Sequence, residues 1–384
     1  MDFKLSDEQQ MMRDSARRFA QTRLAPLVTE DEKAHRFRPE LVREMGELGM
    51  FGAIIDERYG GTGAGWLASA VMTLEIAKVW ASYGLPFNMQ MHGPAYTIQT
   101  FGTEAQKEKY IPGLVAGKLL GGFAMTEPGT GSDVAGMKST ATKVDGGWKL
   151  SGQKTWISQA HVADMVLAYV STDRAKKAKG MTCFLVDLKG NPGITTRPIE
   201  EKFGLYCSPT GEIFFEDAFV PDDAVLGQVG DGFKICMTQL ESTRLSCAAR
   251  AVAVGQAALD AAATYAKERK QFDQPIASFQ MVQADLVQMY VEHQAAELLL
   301  YKAAVSRDEG DLKNGPEISC AKYFAAEAAV HAANTAMKIL GSYGFSLEYP
   351  VARLLRDAKS FQIVEGTSNV QKIILGRHLL SLYE

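Results

Sequence analysis

Leu119-Leu120-Gly121-Gly122-Phe123-Ala124-Met125-Thr126-Glu127-Pro128-Gly129-Thr130-Gly131-Ser132-Asp133 is where the texture of this 384-residue chain changes. Upstream, apolar residues recur at helical spacing. Ser6 with Gln9 and Thr103 with Gln106 read as capping boxes, one helix starts near Pro39, and another runs from Trp66 to Trp80. From this stretch onward the runs are strand-like: Leu119–Met125, Ser139–Val144, Trp148–Ile157, Ala163–Ser171, Met181–Asp187, Ile194–Ile199 and Glu212–Phe215. Asp145-Gly146-Gly147 supplies a hairpin turn between two of them. From Gly232 the helical pattern returns over Phe233–Lys270, Phe279–Arg307, Pro316–Leu340 and Val370–Leu382, with alanine-rich faces suited to close helix packing. Helices, then strands, then helices give an α+β class by segregation. The expected domains are 1–119 (helical), 120–228 (all-β) and 229–384 (helical).

Composition narrows the function. The net charge is −4 with mixed signs and no basic stripe, which argues against nucleic acid as a partner. Five widely spaced cysteines, with no CxxC, read as buried thiols of a reducing compartment rather than disulfides or a zinc site. No uncharged apolar run approaches ~20 residues, so no membrane span is expected. The N-terminus lacks the basic and apolar regions of a secretory signal, which points to the cytoplasm. Gly60-Gly61-Thr62-Gly63-Ala64-Gly65 invites a dinucleotide reading, but the third glycine of GxGxxG would fall on Trp66, so turn chemistry accounts for it better.

Three stretches could carry chemistry. In Thr126–Asp133 a strand ends in a turn where Thr126, Thr130 and Ser132 set hydroxyls beside free N–H groups. Such a turn can bond a flat heteroaromatic ring or a phosphate, or it can be a plain hairpin connection. In Lys154-Thr155-Trp156-Ile157-Ser158, Trp156 and Ser158 alternate onto one face, an indole beside a hydroxyl; the indole suits a ring contact or a core position. In Phe361-Gln362-Ile363-Val364-Glu365-Gly366-Thr367-Ser368-Asn369, Glu365 precedes a helix that Thr367 or Ser368 can cap. It reads as capping charge or as a base. His92 reads as a substrate contact or a satisfied helix histidine. No histidine pair has metal-ligand spacing.

Taken with Arg269-Lys270-Gln271-Phe272 and Gly341-Ser342-Tyr343-Gly344-Phe345, these stretches resemble the acyl-CoA dehydrogenases in order and spacing along essentially the whole chain. In texture the chain is similar to the branch acting on glutaryl-, benzylsuccinyl- and cyclohexanecarboxyl-CoA. Thr130 and Ser342 depart from the family pattern, which usually has a smaller residue at the first and often glycine at the second. The resemblance implies a helical domain, a central β-barrel and a C-terminal four-helix bundle, assembled as a homotetramer with FAD. Phe123, Met125, Thr126, Trp156 and Ser158 would line the flavin. Arg269, Phe272, Gln280, Lys338, Gly341 and Ser342 would reach the ADP half of a neighbour's FAD, with Thr367 and Asn369 completing that site at a helix start. Ser132, Glu241, Arg244 and Arg377 would lie along the CoA moiety.

The resemblance makes Glu365 the catalytic base. It takes a thioester α-proton as hydride leaves the β-carbon for flavin N5, and the Glu365 N–H beside Gly366 holds the thioester oxygen. A carboxylate must be desolvated to serve as such a base. Some relatives carry the base just before the arginine matching Arg244; here that residue is Thr243, which cannot serve. An electron-transferring flavoprotein is the implied acceptor. Residues Trp80 to His92 contain no arginine or lysine, so an uncharged short, branched or alicyclic acyl group is expected, shaped by Tyr83, Phe87 and Met91. The alternatives are a glutaryl- or benzylsuccinyl-type enzyme, an oxidase, and a CoA- or flavin-binding protein without turnover.

Overall fold

The computed structural model describes residues 4–383; residues 1–3, part of the basis for reading the N-terminus, lie outside them. The first block holds α1 (Asp7–Phe19), α2 (Val28–Ala34), α3 (Pro39–Glu47), α4 (Trp66–Val79), α5 (Ala81–Pro86), α6 (Tyr96–Phe101) and α7 (Glu104–Val115). Both capping boxes form. The Ser6 hydroxyl accepts Gln9 N–H at 3.2 Å and the Gln9 side chain accepts Ser6 N–H at 2.9 Å; Thr103 and Gln106 repeat the exchange. Between α5 and α6 the chain stays helical but widens to π geometry over Phe87–Ala95. His92 was read as standing on a helix, but the π geometry was not anticipated, and Gly93 and Pro94 argue against a regular helix there. Neighbouring helices bury all nine of its residues and override the propensity. π stretches are frequent at functional sites.

Eight strands follow: β1 (Gly121–Ala124), β2 (Thr140–Val144), β3 (Gly147–Ser158), β4 (Met165–Ser171), β5 (Met181–Asp187), β6 (Ile194–Pro198), β7 (Thr210–Pro221) and β8 (Val225–Leu226). They form one sheet ordered β6-β7-β3-β2-β4-β5-β8, with β1 parallel to β4. The expected barrel is not closed. β8 is only two residues long before the chain leaves for the next helix, and β6 does not pair with it. The sheet nonetheless encloses a core of its own. On β4, Val166, Ala168 and Val170 pack there with Leu150, Phe184, Val186, Ile213 and Phe215. The alternate residues Met165, Leu167 and Tyr169 join the main helical core. β4 is therefore buried on both faces, which welds the sheet to the helices.

The last block begins with α8 (Gly232–Glu268), 37 residues and about 55 Å long. After a small hairpin, β9 (Lys270–Gln271) with β10 (Gln274–Pro275), come α9 (Gln280–Asp308), α10 (Gly315–Leu340), α11 (Pro350–Phe361) and α12 (Ser368–Ser381). α8 and α10 face each other through buried alanines, among them Ala248, Ala249, Ala325, Ala329 and Ala333. Such small residues let the helix axes approach closely. The sequence reading did not foresee α11, whose ridge Val351, Leu354, Ala358 and Phe361 is buried.

Candidate active site

The α11–α12 connection makes two consecutive left-handed residues, Glu365 at φ +58° and Gly366 at φ +83°. Glycine adopts this freely, whereas glutamate pays about 1–2 kcal/mol. Three buried donors hold the turn by its carbonyls. Arg244 Nε donates to Glu365 O at 3.0 Å, Lys322 Nζ to Gly366 O at 2.7 Å, and Gln371 Nε2 to both, at 3.1 and 2.9 Å. Burial holds the Lys322 amine below its ordinary range. A Cβ at position 366 would lie 2.8 Å from Gln371 Nε2, so the clamp closes only on glycine.

The clamp fixes where the Glu365 carboxylate goes. Asn88 Nδ2 donates to Oε1 at 3.1 Å and Thr243 Oγ1 to Oε2 at 2.5 Å, and both donor residues are fully buried. The Glu365 N–H has no partner among the described residues. One turn on, Thr367 caps α12 by accepting Val370 N–H at 3.3 Å, and Ser368 Oγ donates to Glu327. Thr367, not Glu365, does the capping, and the Glu365 carboxylate is left to Asn88 and Thr243.

The 126–133 turn is pinned from inside the sheet. Glu127 and Thr130 exchange backbone hydrogen bonds at 3.0 and 3.1 Å. The Glu127 carboxylate accepts Lys138 N–H, Ser139 N–H and, at 2.8 Å, the fully buried Lys154 Nζ. Thr155 N–H donates to Thr126 O at 2.9 Å, tying β3 to the turn. Immediately after, the β3–β7 register slips between Lys154 and Ile157, and Trp156 sits in the bulge at φ +58° with 59% of its surface exposed. An indole held out of the core in a strained conformation is a feature of functional sites. Ile157 is buried and Ser158, the last residue of β3, is half-buried. Phe123 and Thr126 are half-buried, and Met125 Sδ touches Cys236 of α8 at 3.3 Å. Cys236 also feels the Glu365 charge; burial first, and that charge second to none of the raising influences from its neighbours, pushes its thiol up to about 12. The turn and the carboxylate therefore flank the same stretch of α8.

Other expected site residues fall into four groups. Arg244 is in the clamp, and Glu241 is one turn earlier on α8, paired with the buried Arg307. Ser132 is exposed at the turn. Arg269, Phe272, Gln280, Lys338, Gly341 and Ser342 are all exposed and lie around the β9–β10 hairpin and the 341–345 turn. There Arg269 sits 5.9 Å over the Tyr343 ring, and Lys338 pairs with Asp285. Asn369 and Arg377 are exposed on α12 without hydrogen bonds or ion pairs among the described residues.

Tyr83, Phe87 and Met91 belong to the helical core. Tyr83 packs against Trp80 and Phe37 and its hydroxyl accepts Arg38 N–H, while Phe87 packs edge-on against Phe51. His92 is a satisfied core histidine, bonded to Ser69 and Ser242 through its two ring nitrogens. The residues the sequence reading missed are Asn88, Lys322, Gln371 and the Glu127–Lys154 pair; Thr243 was set aside as a base but serves as a donor. All but Glu127, which stands in the turn, are polar residues inside an apolar helical or strand pattern, which was the available signal, but spacing does not reveal their partners.

The chain is matched by the acyl-CoA dehydrogenase N-terminal domain over residues 6–118, the middle domain over 122–218 and the C-terminal domain over 230–380. It therefore belongs to the acyl-CoA dehydrogenase family. It is 48% identical to a glutaryl-CoA dehydrogenase of Desulfococcus multivorans, covering 98% of this chain and 97% of that one. It is 40% identical to the short-chain specific acyl-CoA dehydrogenase of Megasphaera elsdenii, over 99% and 100%. Among solved structures, a glutaryl-coenzyme A dehydrogenase in complex with glutaryl-CoA superposes with a TM-score of 0.97 at 47% identity, covering 99% of this chain and 97% of that one. Butyryl-CoA dehydrogenase from Megasphaera elsdenii superposes with a TM-score of 0.96 at 39% identity, covering 99% and 100%.

Members of this family are FAD-dependent oxidoreductases, and a further structural neighbour, 28% identical, is a glutaryl-CoA dehydrogenase of Mycobacterium smegmatis in complex with FADH2. The residues present fit that cofactor. The exposed Trp156 indole offers a flat face, and the half-buried Thr126 and Ser158, on the adjoining turn and the end of the same strand, carry hydroxyls. At Gly129 and Gly131 an added Cβ would meet no protein atom within 4 Å, so the turn is open on that side.

Proposed function

We propose that the chain catalyses the α,β-dehydrogenation of an acyl-CoA thioester, with Glu365 as the base. The observation that carries this reading is the Glu365 carboxylate itself. Strained backbone presents it, a three-donor clamp holds it from behind, and Asn88 and Thr243 each bond one of its oxygens. A merely capping glutamate requires none of these. Glu365 removes the α-proton as the β-hydrogen departs with its electron pair, and a Cα=Cβ double bond forms. The unpartnered Glu365 N–H is free to donate to the thioester oxygen as negative charge develops on it. Bound FAD supplies the acceptor for the hydride.

Phe123, Met125, Thr126, Trp156 and Ser158 hold the flavin ring. Thr367 and Asn369, with Arg269, Phe272, Gln280, Lys338, Gly341 and Ser342 of a neighbouring copy, hold its ADP half. Ser132, Glu241, Arg244 and Arg377 meet the CoA moiety. The exposure of Phe272 (87%), Met281 (81%) and Leu380 (69%) supports a homotetramer that covers them. An electron-transferring flavoprotein is the proposed acceptor; a 38% identical neighbour comes from a structural study of such a flavoprotein in Acidaminococcus fermentans. Five free cysteines, four of them buried, suit the cytoplasm. The test is Glu365→Gln: it retains FAD but loses anaerobic flavin bleaching by acyl-CoA thioesters ~100-fold or more. Undiminished bleaching in that variant removes Glu365 from the mechanism.

A further inference from the structure

Arg250 is 1% exposed, and none of its three guanidinium nitrogens has a hydrogen-bond partner. No ion pair reaches it among the described residues; its visible compensation is the Phe361 ring, 5.7 Å away. A buried guanidinium without a protein partner is costly and a ring face offsets only part of that cost, so its proper partner is missing from the chain.

The location of Arg250 indicates what that partner is. Arg250 follows Thr243 by seven residues on α8, which puts both on one helix face. Side chains on a helix lean toward its N-terminus, so Arg250 leans back toward the Thr243 level. Ser246 lies between them on that face, and its buried hydroxyl is also without a partner. Across from α8, Gly84 leaves the room: a Cβ there would meet Arg250 Cγ at 3.0 Å and Ala77 Cβ at 2.9 Å. Gly84 precedes Asn88, the donor to the Glu365 carboxylate, by four residues, or about 6 Å of helix. The guanidinium is thus buried about one turn beyond the base, on the side away from Cys236 and the 126–133 turn. The absence of a cation between Trp80 and His92 suggested an uncharged acyl group, but the cation enters from α8, outside that window.

Building on the proposed dehydrogenase activity, we infer that Arg250 determines acyl specificity by receiving the terminal carboxylate of an ω-carboxyacyl-CoA. Its planar fork bonds both carboxylate oxygens and Ser246 adds a hydroxyl. The turn of helix between base and guanidinium sets the acyl length at about five or six carbons.

The test compares glutaryl-CoA with pentanoyl-CoA, equal in chain length, on the FAD-loaded enzyme and on Arg250→Met and Arg250→Lys. Anaerobic flavin bleaching and the separate kcat and KM values are read. The wild type favours glutaryl-CoA in kcat/KM by ~100-fold or more. R250M brings that ratio to near unity or below, chiefly through KM, and R250K restores part of it. A wild type that handles pentanoyl-CoA as well as glutaryl-CoA overturns the inference and leaves the dehydrogenase reading standing; this holds even if R250M fails to fold. A ratio unchanged in R250M overturns it too. If no thioester from a wider acyl-CoA panel bleaches the wild-type flavin, the dehydrogenase reading falls and this inference with it.

Discussion

Lys154→Met probes the link between the sheet core and the 126–133 turn. Lys154 Nζ is fully buried, 2.8 Å from Glu127 Oε1 and 3.2 Å from Met125 O. Burial alone would raise the Glu127 pKa, but the Lys154 charge and hydrogen bond, with the two backbone donors, hold it below the ordinary carboxylate range. Methionine keeps most of the stem's volume, so the loss is electrostatic rather than a cavity. Removing one partner of a buried pair costs about 3–5 kcal/mol, because the other charge is stranded. Glu127→Gln should cost a similar amount, and the double variant less than the sum, with a coupling of about 2 kcal/mol or more. Urea denaturation of the FAD-loaded protein, followed by circular dichroism, measures all three. K154M should also shed FAD faster on gel filtration, since Lys154 and the Thr155–Thr126 hydrogen bond together tie Trp156 to the turn. A K154M protein within ~1 kcal/mol of wild type, or a strictly additive cycle, refutes the reasoning.

Thr243→Val removes one of the two donors that aim the Glu365 carboxylate. A hydrogen bond to a charged group is worth about 1.5–3 kcal/mol, so stopped-flow flavin reduction should slow by roughly 10-fold or more. An unchanged or faster step rules out an aiming role. His92 sets an acid limit to stability: burial, helped by the charge of Arg250, lowers its pKa from 6.5 to about 3. A depressed folded pKa means the unfolded chain binds the proton more readily, so stability present above pH 6.5 is lost as pH falls toward 3. At pH 4.5 the loss is roughly 3 kcal/mol, and it should appear as a change of that size, between pH 7 and pH 4.5, in the stability difference between wild type and His92→Gln, which lacks the titration. Parallel pH profiles for the two proteins refute it.

What the sequence made legible was local. The capping boxes, the strand runs of the middle block and the long α8 are written in spacing and punctuation within a dozen residues. Glu365, the Thr126–Asp133 turn and Trp156 were found because glycine, proline or an indole interrupts a pattern there. What was not legible depended on partners distant along the chain. Asn88 reaches Glu365 across 277 residues and Thr243 across 122. The π stretch carrying Asn88 defeats its own propensities because packing decides it. The barrel failed to close for a reason that alternation cannot register: β8 is too short to return to β6.

α8, read from the sequence as a close-packing helix with Glu241 and Arg244 along the CoA moiety, also holds the Glu365 loop. Cys236 touches Met125 beside the 126–133 turn, Thr243 and Arg244 hold Glu365 by side chain and carbonyl, and Arg250 lies two turns further on. From Cys236 to Arg250 is fourteen residues, about 21 Å of unbroken helix. A rise of 1.5 Å per residue cannot be adjusted by loop movement, so the spacing along α8 of the contact to the 126–133 turn, the Glu365-holding pair and the proposed carboxylate receptor is set by residue number. A change in preferred acyl length then requires moving the cation by a helical turn, to position 246 or 254, and not remodelling a loop. Of those two positions Ser246 is already polar and without a partner, while Val254 is apolar and fully buried. The frame therefore shortens its substrate more readily than it lengthens it.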